Sequence, residues 1–209
     1  MKYLSVFLLT LFYSNMNSQP TSPVGIYYLE SVMETASGFK VDADSTFEFF
    51  FSQGALDRTG KGTWTVNGNQ ITFNTPGKSS PGYILKKSEK TNSKKTVIVI
   101  NESNTMLLSF NYARLYDGKD SEFMKIGSDG VIEIESTKFT KIELFFELCP
   151  ERTYAFEPLH PDDNYFEFTI DPTIMNFYFT NVTYKFDGKT LKGIHPLLKG
   201  DEFIFSKEN

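Results

Sequence analysis

The chain has 209 residues, of which 26 are Asp or Glu, 21 are Lys or Arg and one is Cys, and its formal net charge at pH 7 is −5. This acidic balance argues against a nucleic-acid partner, because phosphate backbones are bound by basic faces. A single cysteine excludes an internal disulfide, so packing must stabilise a chain whose length fits one or two domains.

The first predicted element is a signal peptide over residues 1–18. Lys2 precedes an apolar run from Tyr3 to Tyr13, and a polar stretch follows, which is the pattern of a cleaved export signal. The run is too short to cross a bilayer as a helix, which takes roughly 20 residues. We expect cleavage after Ser18 and export to the periplasm, the cell surface or the medium, with no transmembrane segment in the mature chain.

Apolar and polar side chains alternate along several later segments. The clearest are residues 46–52, 131–135, 142–148 and 165–170. Successive side chains of a strand point to opposite faces, so each segment predicts a half-buried strand of an antiparallel sheet. The 21 Phe and 11 Tyr also favour strands, since aromatic side chains suit a pleated surface. We therefore predict an all-β fold.

A β-hairpin is predicted over residues 62–74. Asn67-Gly68 is a preferred pair for a two-residue turn of type I′, since both residues adopt positive φ at little cost. That turn would place Trp64 opposite Ile71, with both side chains buried on the inner face of the sheet.

A lysine-rich segment, residues 86–96, carries five Lys, one Glu and no apolar residue. We interpret it as a solvated linker or a long hairpin tip, with the binding of nucleic acid or lipid as the alternative. It divides the mature chain into two predicted antiparallel β domains, residues 19–88 and residues 95–209.

The alternation changes phase near the carboxyl-terminal end. Phe177 and Phe179 occupy odd positions, whereas Val182 and Tyr184 occupy even ones. A single strand cannot place both sets on one face, so a bulge or break is predicted at residues 180–181.

Several short motifs resemble a known kind of exported protein. Residues 25–27 (GIY), 60–64 (GKGTW) and 69–73 (NQITF) resemble the lipocalin-like, up-and-down β modules of exported Bacteroidetes proteins. Residues 54–58 look like a feature of an uncharacterised exported family of that phylum. The second half, with its strand at residues 164–168, is similar to carboxypeptidase-regulatory-like, transthyretin-like sandwiches. The resemblance implies a small lipocalin-like barrel or sheet followed by a transthyretin-like sandwich, and it brings no catalytic residue.

One polar pair lies between two aromatic strands. Asp57 and Arg58 occupy a loop flanked by Gly54 and Gly62, and Trp64 follows. Arg58 could hold an anionic or sugar ligand at the mouth of a barrel, with Trp64 as a stacking platform. The alternative is that Asp57 caps the loop and Arg58 pairs with a carboxylate of the neighbouring strand. Asp57, Arg58 and Trp64 are the candidate ligand-binding residues.

The sequence contains no evident motif for catalysis, a cofactor or a metal. The G-x-S-x-G pattern of a serine nucleophile is absent, since the nearest match, residues 77–81, ends in proline. His160 and His195 each precede a proline, which favours extended loops. Cys149 is expected to be buried at the end of a strand. The acidic pair in residues 42–44 is typical of a turn rather than of a complete Ca²⁺ loop.

These observations favour a non-enzymatic binding or interaction module, with a polysaccharide or an envelope protein as its partner. The alternative is a lipocalin-type binder of a small apolar ligand, held in a cavity near Phe47, Phe49, Trp64 and Phe73. An exposed row of aromatic side chains would indicate carbohydrate. Two acids that face each other across an aromatic groove would instead indicate a glycosidase.

Overall fold

The structure, a computed structural model, describes residues 22–119 and 121–208, and nearly all regular structure in this part of the chain is β. The predicted all-β class is confirmed. The predicted signal peptide, residues 1–18, lies outside the described residues. Within the described ranges, no helix is long and apolar enough to cross a membrane.

The strands form one closed barrel and two four-stranded sheets. In chain order they are β1 (Gly25–Leu29), β2 (Thr35–Val41), β3 (Thr46–Gln53), β4 (Leu56–Asn67), β5 (Gln70–Asn74), β6 (Tyr83–Glu89), β7 (Thr96–Ile100), β8 (Asn111–Tyr116), β9 (Met124–Lys125), β10 (Val131–Ile134), β11 (Lys141–Phe146), β12 (Thr153–Phe156), β13 (Tyr165–Ile170), β14 (Val182–Phe186), β15 (Thr190–Gly193) and β16 (Phe203–Lys207). A short 3-10 helix, Thr105–Phe110, lies between β7 and β8.

The barrel closes in the order β1-β16-β15-β14-β5-β4-β3-β2. Alternation sends every second side chain inward, where aromatic rings pack against one another. Phe39 is central, since the ring centroids of Phe49, Phe73 and Phe205 lie 4.7 to 5.0 Å from its own. The buried rings of this core are Tyr27, Phe39, Phe47, Phe49, Phe51, Phe73, Phe179, Tyr184, Phe186 and Phe205.

The barrel takes its strands from two distant parts of the chain. Residues 25–74 supply β1 to β5, and residues 182–207 supply β14 to β16. The strand pairing therefore differs from the predicted division into residues 19–88 and residues 95–209, because the last three strands return to close the first module. Alternation shows which face of a strand is buried but not which strand lies beside it.

The strands between β5 and β14 form a two-sheet unit. Its sheets have the orders β10-β7-β13-β6 and β12-β11-β8-β9, and β7 with β13 is a parallel pair. One core lies between the sheets, with Ile98 and Phe168 from the first and Leu144 from the second. The two ends of the unit meet, because the Asp171 N–H donates to the Gly82 carbonyl at 2.9 Å. Adjacent ends are what an insertion into another domain requires.

The lysine-rich segment lies inside the two-sheet unit rather than between the barrel and this unit. Residues 86–89 belong to β6, and Thr96 begins β7. The intervening residues 90–95 form four hydrogen bonds with the buried side chain of Asn164. This loop is therefore held in place by Asn164 within the two-sheet unit, which differs from the predicted linker. It is not a hairpin tip either, because β6 and β7 both pair with β13 rather than with each other.

The predicted hairpin joins β4 to β5, but its turn lies one residue later than predicted, so the predicted register is wrong. The two loop residues are Gly68 and Asn69, one position later than predicted. Trp64 therefore lies opposite Phe73, two positions beyond its predicted partner. Gly68 has a φ of 61°, and neither neighbouring asparagine has a positive φ. A glycine in the first of two loop positions is the pattern of a type II′ turn.

The predicted break before the last three strands is confirmed. Asn181 has a φ of 51°, and its N–H donates to Asn74 Oδ1 at 2.7 Å. Phe179, on the other side of the break, points into the barrel, where its ring lies 4.9 Å from that of Phe47. The break thus allows both phases of the pattern to reach one core.

Candidate functional site

The three candidate ligand-binding residues do not form one site. Asp57 is exposed, Arg58 is 2% exposed and Trp64 is half-buried. Arg58 and Trp64 both lie on β4, where six residues of extended chain span roughly 20 Å. The Trp64 indole N–H donates to the Asp42 carbonyl at 3.0 Å, and its ring packs against the barrel core. Trp64 is therefore not a free stacking platform beside Arg58.

Arg58 joins the barrel to the two-sheet unit. Its Nη1 and Nη2 donate to the two carboxylate oxygens of Glu151 at 3.0 and 2.6 Å, and its Nε donates to the Met175 carbonyl at 3.1 Å. Burial raises the pKa of Glu151, but the hydrogen bonds and charge of Arg58 outweigh burial, so this pKa is lowered overall. Arg58 therefore pairs with a carboxylate, as the alternative hypothesis stated. That carboxylate belongs to Glu151 of the two-sheet unit and not to the neighbouring strand of the barrel.

Arg152 fixes the segment that leads from the two-sheet unit into the barrel. Its Nη2 donates to the carbonyls of Ile174 and Asn176 at 2.6 and 2.9 Å. Its guanidinium carbon lies 5.4 Å from the centre of the Tyr178 ring, which is a cation–π distance. The segment lies beside β4, and these contacts give it a fixed course there.

A buried Ser–His contact lies inside one end of the barrel. His195 Nε2 is 3.1 Å from Ser37 Oγ, and both residues are 2% exposed. The two residues are 158 positions apart, so no local pattern in the sequence could indicate the contact. Burial lowers the pKa of His195 to about 4, so the imidazole is neutral at pH 7.

The direction of the hydrogen bonds shows that this pair is not a nucleophile and its base. His195 Nδ1 accepts the Leu197 N–H at 3.0 Å, so the proton of the neutral ring is on Nε2 and is donated to Ser37. The Ser37 hydroxyl donates to the Phe50 carbonyl at 2.9 Å. An imidazole that donates to serine cannot take the serine proton. His160, the second of the two histidines, is exposed in the two-sheet unit.

Cys149 and Glu143, the most buried glutamate of the described residues, are both held by structural partners. Cys149 is fully buried, as predicted, and its thiol donates to the Ile174 carbonyl at 3.2 Å. Burial raises the pKa of this thiol, which disfavours the reactive thiolate. Glu143 binds Arg114 and Lys141 at 2.5 and 2.6 Å. In the described part of the chain, no three His, Cys, Asp or Glu are grouped so that they could hold a metal ion.

A groove of about 660 Å³ runs along the outer wall of the barrel. One row of its floor consists of Ile26, Lys40, Glu48 and Lys61. These residues lie directly opposite one another on four neighbouring strands, β1 to β4. Glu48 is thus flanked by one lysine on each adjacent strand, and the row ends in an aliphatic side chain.

An exposed aromatic pair forms the next row of this wall. Tyr28 is 45% exposed and Phe50 is 37% exposed, and they lie in register on either side of Gly38. Their ring centroids are 6.2 Å apart. A Cβ on Gly38 would come within 2.7 Å of the Phe50 ring, so the glycine is what allows the rings to meet. Phe50 and Tyr178 line the groove, and Tyr28 extends the apolar surface beyond Phe50.

The alternation in β3 carries the sequence signal for this groove. The predicted strand at residues 46–52 buries Phe47, Phe49 and Phe51. The same alternation places Phe50 on the outer face, where a polar side chain is usual. Phe50 thus interrupts the otherwise polar outer face of β3, and this interruption is the signal in the sequence.

Three comparisons with known proteins gave no match: one with protein-family models, one with curated proteins and one with solved structures. No residue role is therefore carried over from a relative. The groove and its side chains are the basis for inferring a function.

Proposed function

We propose that this protein is an exported, non-enzymatic binding module that holds a glycan in the groove on the outer wall of its barrel. The observation that carries the proposal is the exposed aromatic pair of Tyr28 and Phe50 beside a row of charged side chains. The predicted signal peptide supports the exported part of the proposal, with the periplasm, the cell surface or the medium as the destination.

The groove offers both kinds of contact that a sugar ring needs. A pyranose has C–H groups on its faces and hydroxyl groups around its edge, so it suits a site with apolar rings and a few polar groups. Ile26, Phe50 and Tyr178 supply apolar surface, while Glu48 can accept and Lys61 can donate hydrogen bonds. The volume of about 660 Å³ lies within the range of roughly 300–1,000 Å³ found for ligand sites.

The packing inside the barrel favours a binding site in the surface groove over one in a lipocalin-type internal cavity. Phe47, Phe49 and Phe73, three of the four residues expected near a cavity, pack around Phe39 and Phe179. The ring centroids of these contacts are 4.7 to 6.3 Å apart. Of this packed set, Phe39 and Phe49 also border the groove. Because close-packed rings leave few voids larger than a water molecule, a small apolar ligand would have to displace them.

Calorimetric titration of the purified protein with a panel of oligosaccharides tests the proposal. We expect Phe50→Ala to weaken glycan binding about tenfold, which corresponds to roughly 1.4 kcal/mol, because it removes the ring that faces the groove. Tyr28→Ala should have a smaller effect, since Tyr28 lies beyond the groove lining. Phe50→Trp keeps an aromatic face and should retain binding.

Val66→Ala is the matched control, because Val66 is also an exposed apolar residue of the barrel wall, 40% exposed, but lies at the hairpin end of β4. Its removal should leave binding unchanged. Equal affinity of Phe50→Ala and the unmodified protein for every sugar that binds would contradict the proposal. Binding of an envelope protein that depends on Phe50, with no binding of any oligosaccharide, would assign the groove to a protein partner instead.

A further inference from the structure

A second concave site lies on the two-sheet unit and shares no residue with the groove of the barrel. It has a volume of about 610 Å³ and lies where the loops that follow β6, β10 and β12 meet. Lys90 and Lys94 come from the first loop, Lys138 from the second and Asp162 from the third. We call this site the lysine cleft.

The loop that carries Lys90 and Lys94 is fixed by one buried side chain. Asn164 is 2% exposed, and its Oδ1 accepts hydrogen bonds from the N–H and the hydroxyl of Thr91 at 2.7 and 3.0 Å. Its Nδ2 donates to two carbonyls of the same loop at 2.7 and 3.2 Å. Both the oxygen and the nitrogen of the Asn164 amide thus hydrogen-bond to this loop. The loop backbone is ordered before a ligand binds, which lowers the entropy cost of binding.

The lysines of this region differ in whether a carboxylate neutralises them. Lys95 Nζ lies 3.1 Å from Glu133 and 2.9 Å from Glu135, so two acids surround it. Lys94 and Lys138 line the cleft, and neither has an ion pair within residues 22–119 and 121–208. Their ammonium groups are therefore available to an anion from solution.

Two carboxylates also lie in the wall of the lysine cleft. Asp162 is 3.9 Å from Lys90, and both side chains are largely exposed. Asp117 accepts the Lys119 N–H at 3.1 Å in a turn. Three ammonium groups against these two acids give the lining of the cleft one excess positive charge, and the neighbouring Asp163 carboxylate is occupied by the Ser88 hydroxyl and the His160 N–H. An excess of ammonium groups in a concave lining favours anions at this place.

We propose that the lysine cleft binds an acidic oligosaccharide and that Lys94 and Lys138 hold its carboxylate or sulfate group. An ammonium group donates three hydrogen bonds and accepts none, which matches an oxyanion. Ser93 and Thr137 supply hydroxyl groups to the sugar, and Phe139 supplies an apolar ring. This second site does not rest on the groove of the barrel, and it adds a requirement for negative charge to what the protein recognises.

Calorimetric titration of the full chain with trigalacturonate and with a sulfated disaccharide tests the second site, and maltotriose serves as the neutral probe. We expect the double variant Lys94→Gln with Lys138→Gln to bind both acidic probes about tenfold more weakly, since two exposed charge interactions are lost. Added salt should weaken acidic binding further. The matched control is Lys185→Gln with Lys189→Gln, because both lysines are exposed on the barrel and the change in net charge is the same.

The outcomes separate the two sites. Loss of acidic binding in the Lys94 and Lys138 variant, with normal binding in Phe50→Ala and in the control pair, supports the lysine cleft whatever the groove binds. Loss in Phe50→Ala alone would place the acidic sugar in the groove and overturn the cleft. Equal loss in both lysine pairs, equally tight binding of maltotriose in the cleft, or no binding of either acidic probe would also overturn it.

Discussion

The barrel and the two-sheet unit are filled by different side chains. The buried core of the barrel is mostly aromatic, whereas the core between the two sheets is mostly aliphatic. An eight-stranded barrel encloses a space just wide enough for side chains to fill, and large rings fill it from every wall. Two facing sheets about 10 Å apart are filled by smaller, branched side chains that interdigitate. The shape of the enclosed space thus accounts for the type of residue that fills it.

The two regions also differ in how the chain builds them. The two-sheet unit is one continuous stretch from β6 to β13, whereas the barrel pairs β5 with β14 across that whole stretch. The entropy needed to close a loop grows with its length. Once the two-sheet unit has folded, the contact between Asp171 and Gly82 brings its ends together, and the remaining closure is short. We infer that the barrel depends on the two-sheet unit but not the reverse.

Deleting residues 182–209 tests whether the two-sheet unit stays folded without the barrel, and it has the largest expected effect. Without β14 to β16 the barrel is open at two strand edges, so we expect its cooperative unfolding transition to disappear. The two-sheet unit loses no strand and should keep its amide protection in hydrogen exchange. Trp64, the single tryptophan, packs on the barrel core, so its fluorescence reports on the barrel. Loss of amide protection in the two-sheet unit after the deletion would contradict the inference that this unit does not depend on the barrel.

Replacing one large side chain in each core by alanine tests whether the two cores unfold separately. Phe39→Ala should lower the free energy of unfolding of the barrel by about 4 kcal/mol, because Phe39 lies at the centre of the ring cluster. Leu144→Ala is the matched change in the two-sheet unit, where we expect about 3 kcal/mol. The denaturant midpoint reported by Trp64 fluorescence should shift more with Phe39→Ala than with Leu144→Ala. Equal shifts for the two variants would mean that the two cores unfold as one.

The contact between the two regions should be the next most sensitive. Glu151→Gln leaves the Arg58 guanidinium buried without a charged partner, which should cost about 3 kcal/mol. Arg58→Met combined with Glu151→Gln should recover part of this loss, since no unpaired charge remains buried. A double-mutant cycle measures the coupling. The exposed pair Lys95 and Glu135 is the control, with less than about 1 kcal/mol expected, and additive losses at Arg58 and Glu151 would contradict a coupled pair.

The sequence predicted the strands well and their neighbours poorly. The four alternating segments that began at residues 46, 131, 142 and 165 correspond to β3, β10, β11 and β13. Alternation is a property of one strand, but pairing depends on the whole sheet. The pairing of β14 with β5 could therefore not be predicted. The phase change at Asn181 could be predicted, because it is visible in a short, continuous stretch of sequence.

The candidate site was predictable only where the signal was local. Arg58 between aromatic strands needs a partner, because a buried charge without one is costly. Its partner, Glu151, is 93 positions away and has no pattern of its own. Composition likewise indicated that the lysine-rich segment is exposed, but the four hydrogen bonds from Asn164 that fix it are invisible in a composition. Phe50, in contrast, could be found from the alternation of its own strand.

His195 should give the barrel a dependence on pH. Its pKa in the folded protein is about 4, against about 6.5 for a solvated histidine. As the pH falls from about 6.5 to about 4, the unfolded chain takes up a proton that the folded barrel excludes, so the free energy of unfolding falls by about 2 to 3 kcal/mol. Above pH 6.5 the imidazole is neutral in both states, and the stability is fully present.

His195→Gln removes the titrating group and keeps a side-chain amide that can donate to Ser37. The free energy of unfolding of this variant, from Trp64 fluorescence, should depend less on pH between about 6.5 and about 5, where solvated carboxylates are still largely ionised. An unchanged slope in this range would show that His195 is not the group responsible.

The smallest effect is expected at the tip of the hairpin between β4 and β5. Gly68 has a φ of 61° and open space around the position of a Cβ, so Gly68→Ala meets no clash and costs only its left-handed backbone, about 1 kcal/mol. Asn67 is the last residue of β4 and has no positive φ, so Asn67→Ala should change the free energy of unfolding by less than about 0.5 kcal/mol. A type I′ turn at Asn67-Gly68 would need positive φ at both positions. Equal losses for the two variants, measured by the Trp64 transition, would therefore restore the register in which Trp64 lies opposite Ile71.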